Sequence, residues 1–262
     1  MGRRSGSRLA APGQRLLLSV PTNDRMVQTP RRTTLHGPTF VRQLARLTGA
    51  TPAPPRQPPT ERLGQWLDWT HAIALSAALD APPAGADPAA AAGEAPEADC
   101  ARVRAALEAA IADDAAFSST EVGADAALDS AFFRQRYVAL QRTMDAHIGR
   151  LRGRLRERLA AAGGEPARLA AVDAAMERAL ARREQSLLSA VPALLDARFA
   201  QAQRDDAPAS DRAATPAASL DAFRRDMRGL LLAELDTRLQ PAEGLLAALR
   251  PREPGRHAQT PA

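Results

Sequence analysis

The sequence contains no lysine; all 35 of its basic residues are arginine. That absence removes P-loop chemistry, Schiff-base chemistry and the kinase-type lysine. Its simplest source is a GC-rich genome, because lysine codons are AT-rich. One cysteine, Cys100, cannot form an internal disulfide, so nothing in the composition argues for an oxidising compartment. Aromatic residues make up 3% of the chain, and alanine supplies much of its 45% apolar content. Alanine favours helix without adding much core volume, which suits close-packed helices better than a thick globular core. The apolar run at residues 72–79 falls well short of the roughly 20 residues that a membrane span needs.

Strand-like alternation is missing as well, which removes Rossmann and barrel enzymes. The four histidines, His36, His71, His147 and His257, are scattered, and none stands in an HExxH, HxH or CxxC context. There is no GxSxG, no glycine-rich phosphate loop and no Glu-x-x-His pair of the di-iron bundles. Neither a catalytic residue nor a metal ligand nor a cofactor is expected, and the chain is not expected to be an enzyme.

What is present is helical periodicity. Phe133, Tyr137, Leu140, Met144, Ile148, Leu151, Leu155 and Leu159 recur in steps of three and four. Leu169, Val172, Met176, Leu180, Leu187, Val191, Leu194 and Phe199 form a second such series. Between them lie Gly163, Gly164 and Pro166, residues suited to ending one helix and starting the next. A connection this short makes the two arms antiparallel neighbours. Pro192 is expected to kink or end the second arm.

Charge follows the same period. Arg150, Arg154 and Arg158 form one stripe beside the leucines, and Arg152 with Arg156 another on the far flank. The hairpin register brings Arg154 or Arg158 toward Asp173 and Arg150 toward Glu177. Flanking charge on a coiled-coil-like seam is the primary reading; a docking face for a third helix and a nucleic-acid stripe are the others. Residues 1–59 carry ten arginines and one acid, a net +9, whereas residues 60–262 carry 25 arginines and 29 acids, a net −4. The front is therefore basic and the helical body mildly acidic.

In chain order, residues 1–37 read as a disordered or misassigned extension, with translation expected to begin at Met26. A short helix at 38–48 turns Phe40, Val41, Leu44 and Leu47 to one side. The segment TPAPPRQPP at 51–59 reads as a stiff linker. A helix at 60–80, capped by Thr60, carries both tryptophans, Trp66 and Trp69, and is apolar over most of its circumference. It is expected to be buried, in the core or against a partner, with Asp68 and His71 as a polar pair. Residues 81–96 and 203–218 are linkers. Further helices are expected at about 98–116 (capped by Asp99), 126–162, 165–200 and 218–239. Pro241 is expected to interrupt the last of these. A helical domain thus covers 38–250, and 251–262 is a disordered tail. The fold class is all-α, an elongated helical bundle built around the long antiparallel hairpin.

RRTTLHGPTFVRQLARLT at 31–48 and ERLGQWLDWTHAIALSAALD at 61–80 resemble an uncharacterised proteobacterial family, domain of unknown function three-three-four-eight. The resemblance spans roughly residues 26–250, and the later helices match in character. It implies a start near Met26. Through a gene neighbourhood with a large coiled-coil membrane protein and an OmpA-type peptidoglycan-binding protein, it also implies a cytoplasmic accessory of an envelope-spanning assembly. It assigns no activity and no catalytic residue.

The expected function is that of a helical scaffold or adaptor in the cytoplasm, working through a protein partner or self-association and without a transmembrane segment. The candidate partner-binding residues are Trp66, Trp69, Ile73, Arg150, Arg154 and Arg158. A nucleic-acid-associated protein using the arginine-rich segments is the alternative.

Overall fold

The leucine stripe of residues 133–159 forms the spine of the fold. In the computed structural model all eight of its apolar residues are buried, on one helix, α5 (Ser130–Ala162). The structure describes residues 39–49, 57–81, 85, 95–117, 129–205 and 216–250. All of these lie in the unit His36–Ala262; the other unit, Met1–Leu35, is outside them. The expected linkers, the expected disorder at both ends and the expected start at Met26 likewise fall largely outside the described residues.

Eight α-helices occur among the described residues, with no strand: α1 (Thr39–Thr48), α2 (Pro59–Trp66), α3 (Trp69–Asp80), α4 (Pro96–Ala112), α5, α6 (Gly164–Leu188), α7 (Val191–Asp205) and α8 (Pro216–Leu249). The fold is an all-α bundle. Helices α4, α7 and α8 surround the stripe of α5, and α6 folds back along its flank. Phe133, Phe199 and Phe223, one each from α5, α7 and α8, meet ring to ring at centroid distances of 5.0–5.5 Å. Helix α1 lies on α7 and α8 and buries Phe40, but leaves Val41 exposed rather than on the packed side.

Arg–carboxylate pairs join the helices across nearly every interface of this core. Arg152 and Arg156 of α5 reach Asp173 and Glu177 of α6, both at 2.6 Å. Arg154 of α5 takes Asp99 of α4 at 2.8 Å, and Arg134 takes Asp196 of α7 at 3.2 Å. Arg104 of α4 bridges Asp236 and Glu243 of α8. Arg198 of α7 meets Asp226 of α8, and Arg238 of α8 meets Asp145 of α5. Arg152 holds Asp173, and Arg154 holds Asp99, by two parallel bonds from a planar guanidinium, which fixes rotation and register together. The partly exposed pairs contribute only about 0–1 kcal/mol each to stability.

Among the described residues one carboxylate lies fully inside. Glu234 of α8 is 0% exposed and accepts from Tyr137 Oη at 2.5 Å, Gln141 Nε2 at 2.9 Å and Arg238 Nε at 2.8 Å. Three donors compensate a carboxylate that would otherwise be costly to bury. Burial, followed by the charge of Glu234, pushes the Tyr137 phenol well above its ordinary value.

Several details differ from the sequence expectation. The arginines that meet Asp173 and Glu177 are Arg152 and Arg156, because α6 approaches the flank of α5 while the leucine stripe faces α4, α7 and α8. In the second arm, Leu169 and Leu187 are exposed, and Ala170, Ala175 and Ala179 are the buried residues of α6. Alanine lets the backbone approach closely on two sides, which leaves the leucine stripe at the rim. Pro192 does end the arm: α6 stops at Leu188, and α7 begins at Val191 with the proline second. Pro241, however, stays inside a continuous α8. The buried Leu239, Ala242, Leu245 and Leu246 on both sides of it outweigh the roughly 3 kcal/mol of an internal proline.

Gly163 turns the chain between α5 and α6 at φ 69 and ψ −173, a region that only glycine occupies readily. Gly163→Ala is expected to lower unfolding stability by about 1–3 kcal/mol, read as a lower urea midpoint in circular dichroism.

A candidate interaction face on α2 and α3

Pro59 fixes the first turn of α2, with Glu61 near its positive end. The helix begins one residue before Thr60, so Thr60 does not cap it. The expected single helix at 60–80 is broken: Leu67 and Asp68 are extended. Asp68 then caps α3, its Oδ1 accepting from the backbone N–H of His71 at 2.8 Å. The imidazole Nδ1 of His71 lies 2.9 Å from the same oxygen but makes no hydrogen bond, so Asp68 and His71 are joined by the helix cap rather than by the expected side-chain bond.

Helix α3 packs chiefly on α6, running antiparallel to it: Arg183 sits over Trp66 at one end, and Arg168 donates to the Ala81 carbonyl at the other. On α6, Arg168, Ala175, Ala179 and Arg183 recur at helical spacing on one face. Ala175 and Ala179 are buried there, outside the main core cluster. From α3, His71, Ala74, Leu75 and Ala78 are half-buried. No residue of α2 or α3 is fully buried.

Sequence alone left open whether the tryptophans are covered, and they differ. Trp66 is half-buried and carries two guanidiniums over its ring, Arg62 at 5.3 Å and Arg183 at 5.5 Å from the centroid. Trp69 is 80% exposed, and Ile73 and Leu79 are 54% and 51% exposed on the same helix. The near-uncharged helix is therefore only partly covered within the chain, so of the two expected forms of burial, in the core or against a partner, the first does not hold.

Arg150, Arg154 and Arg158 belong elsewhere. Arg150 is exposed, and Arg154 is committed to α4, giving Asp99 two bonds at 2.8 and 2.9 Å. Of the three readings for that stripe, docking of a third helix describes Arg154. Asp99 stands in the first turn of α4 without capping it, since Ala95 occupies the cap position. Arg183 joins the Trp66 face from 117 positions away, and no periodicity in the sequence could have signalled that contact. Arg62, a few residues before Trp66, was at hand but carried no motif.

The family model for a protein of unknown function (DUF3348) matches residues 26–251. The chain belongs to that family. Both DUF3348-like segments quoted above lie within the match, so α1, α2 and α3 are part of the family domain. No curated protein and no solved structure matches the chain. Among the described residues no group of three or more His, Cys, Asp or Glu side chains could hold a metal ion, and no helix is long and apolar enough to cross a membrane.

The Arg154 bond, ahead of the opposing effect of burial, holds the Asp99 carboxyl below its ordinary value, with Arg102 and Arg158 helping. Because the folded value is below the unfolded one, this stabilisation is present above about pH 4 and is lost as pH falls through the folded value. Asp99→Asn is expected to destabilise the protein at pH 7. The gap to wild type should close in unfolding curves taken progressively below pH 4.

Proposed function

We propose that this member of the DUF3348 family is a non-enzymatic helical scaffold or adaptor that acts by protein–protein interaction through the outward face of α3. The observation carrying this reading is Trp69 at 80% exposure in line with Ile73, on a helix whose main neighbour is α6. Exposed tryptophan and aliphatic side chains in one strip are the composition of binding hot spots. A cytoplasmic location and an accessory role in an envelope-associated assembly form part of the same proposal and rest on the family resemblance.

The nucleic-acid alternative gains little from the arginines of the 150–158 run; the arginine-rich front end that also suggested it lies largely outside the described residues. Arg152, Arg154 and Arg156 spend their donors on carboxylates of neighbouring helices, which leaves little of that run for phosphates.

Affinity capture from the native host at physiological salt, with and without nuclease, tests the proposal. A protein partner that survives nuclease and is lost with Trp69→Ala/Ile73→Ala is the expected result. The two side chains are exposed, so the double variant should keep its helical content and stay within about 1 kcal/mol of wild type. Capture that vanishes on nuclease treatment would sink the adaptor reading.

A further inference from the structure

The geometry points to a second copy of this chain as the occupant of the α3 face, in an antiparallel α3–α3 pairing about a two-fold axis. This rests on the adaptor reading and names its partner. Three observations on the same helix carry it.

The first is shape. Trp69, Ala72, Ile73 and Ser76 are all exposed and stand at i, i+3, i+4 and i+7, one narrow seam. A two-fold axis midway between residues 72 and 73 sets Trp69 opposite Ser76 and Ile73 opposite Ala72. Each large side chain then meets a small one, so the strip complements itself as an isologous interface must.

The second is charge. Asp80 is the last residue of α3, where the carbonyl end of the helix dipole disfavours a carboxylate. Its one hydrogen bond is from Ser76 Oγ at 3.1 Å. At the opposite end, Arg62 and Arg183 lie over Trp66, and among the described residues neither forms an ion pair with a carboxylate. The same antiparallel pairing brings Asp80 of one copy to the N-terminal end of α3 in the other, the end where Arg62 and Arg183 lie against Trp66 and where Asp68 caps the helix. Each copy thus brings cations toward the other copy's helix end, one such contact from each copy and two in the dimer.

The third is that no described element covers the outward side of α3. Helix α3 is held chiefly by α6, and its outward side keeps Trp69, Ile73 and Leu79 in solvent. Twelve residues of helix span about 18 Å, so the shared face is small and the dimer is a reversible one. An anionic membrane fits this surface less well, because Asp68 and Asp80 flank the apolar strip.

Sedimentation equilibrium on the full chain, from about 1 to about 500 µM, tests the pairing. A monomer–dimer equilibrium is expected, with Trp69→Ala/Ile73→Ala weakening it roughly thirtyfold or more. Asp80→Arg alone and Arg62→Asp alone should each weaken it several-fold, and the two combined in one chain should recover most of the loss. Circular dichroism of every variant controls for folding. A monomer throughout that range, a dimer indifferent to Trp69→Ala/Ile73→Ala, or a combined swap no better than the single ones overturns the pairing. If the pairing fails while the host capture still yields a nuclease-resistant protein lost with Trp69→Ala/Ile73→Ala, the adaptor reading stands with a different partner. If the capture fails too, both fall.

Discussion

Burial of the α5 stripe is the interaction on which the remaining helices depend. From Phe133 to Leu159 it offers eight large side chains at one angular position, and α4, α7 and α8 each complete part of the groove around it. A chain so poor in aromatics has few other sources of apolar area. Its rings are concentrated at one end, where Phe133, Phe199 and Phe223 tie three helices together. Further along, aliphatic packing takes over, and the Glu234 cluster places a polar group in the interior between α5 and α8. A buried carboxylate with three donors tolerates few alternative alignments, because sliding either helix would strand it without partners.

Arginine supplies specificity where alanine supplies closeness. Helices that meet through alanine can slide or rotate at little cost, since a methyl group makes a shallow knob. In this protein the ambiguity is resolved at the rims. Arg152 and Arg156 lock α6 to α5, Arg154 locks α4, Arg134 locks α7, and Arg104 ties α4 to α8. The absence of lysine has a structural consequence here whatever its genomic origin. A guanidinium holds a carboxylate by two bonds in a plane, which an ammonium cannot do.

The α2–α3 segment stands apart from that system. Its fit on α6 relies on two alanines, a tryptophan with two guanidiniums over its ring and one bond to the Ala81 carbonyl. It buries none of its own residues completely, and its most apolar side chains point outward. Elements held this lightly tend to open at low free energy, and binding surfaces are often drawn from them. The contrast between a core stitched by ion pairs and a lightly held tryptophan helix is the physical basis for the proposal that α3 is an interaction surface.

Much of the fold was legible in the sequence, because local period and turn chemistry reflect local physics. The stripes of α4, α5 and α8, the glycine turn at 163–164 and the stop at Pro192 required only spacing and backbone preference. The candidate site was legible only in part: Trp66, Trp69 and Ile73 were read from composition, but not which of them is covered. Helical spacing shows that a side is apolar, not what comes to lie against it. Rotation about a helix axis is set by all neighbours at once, so Arg152 rather than Arg154 faces Asp173. Pro241 remained in a helix because burial on both sides exceeded the local penalty. Arg183 came to Trp66 only when α6 folded back. The sequence by itself determined where helices form and which residue types each carries; the tertiary structure decided which faces meet, because that choice depends on contacts between helices, from 21 positions apart for Arg152 and Asp173 to 132 for Arg104 and Asp236, which no local period encodes.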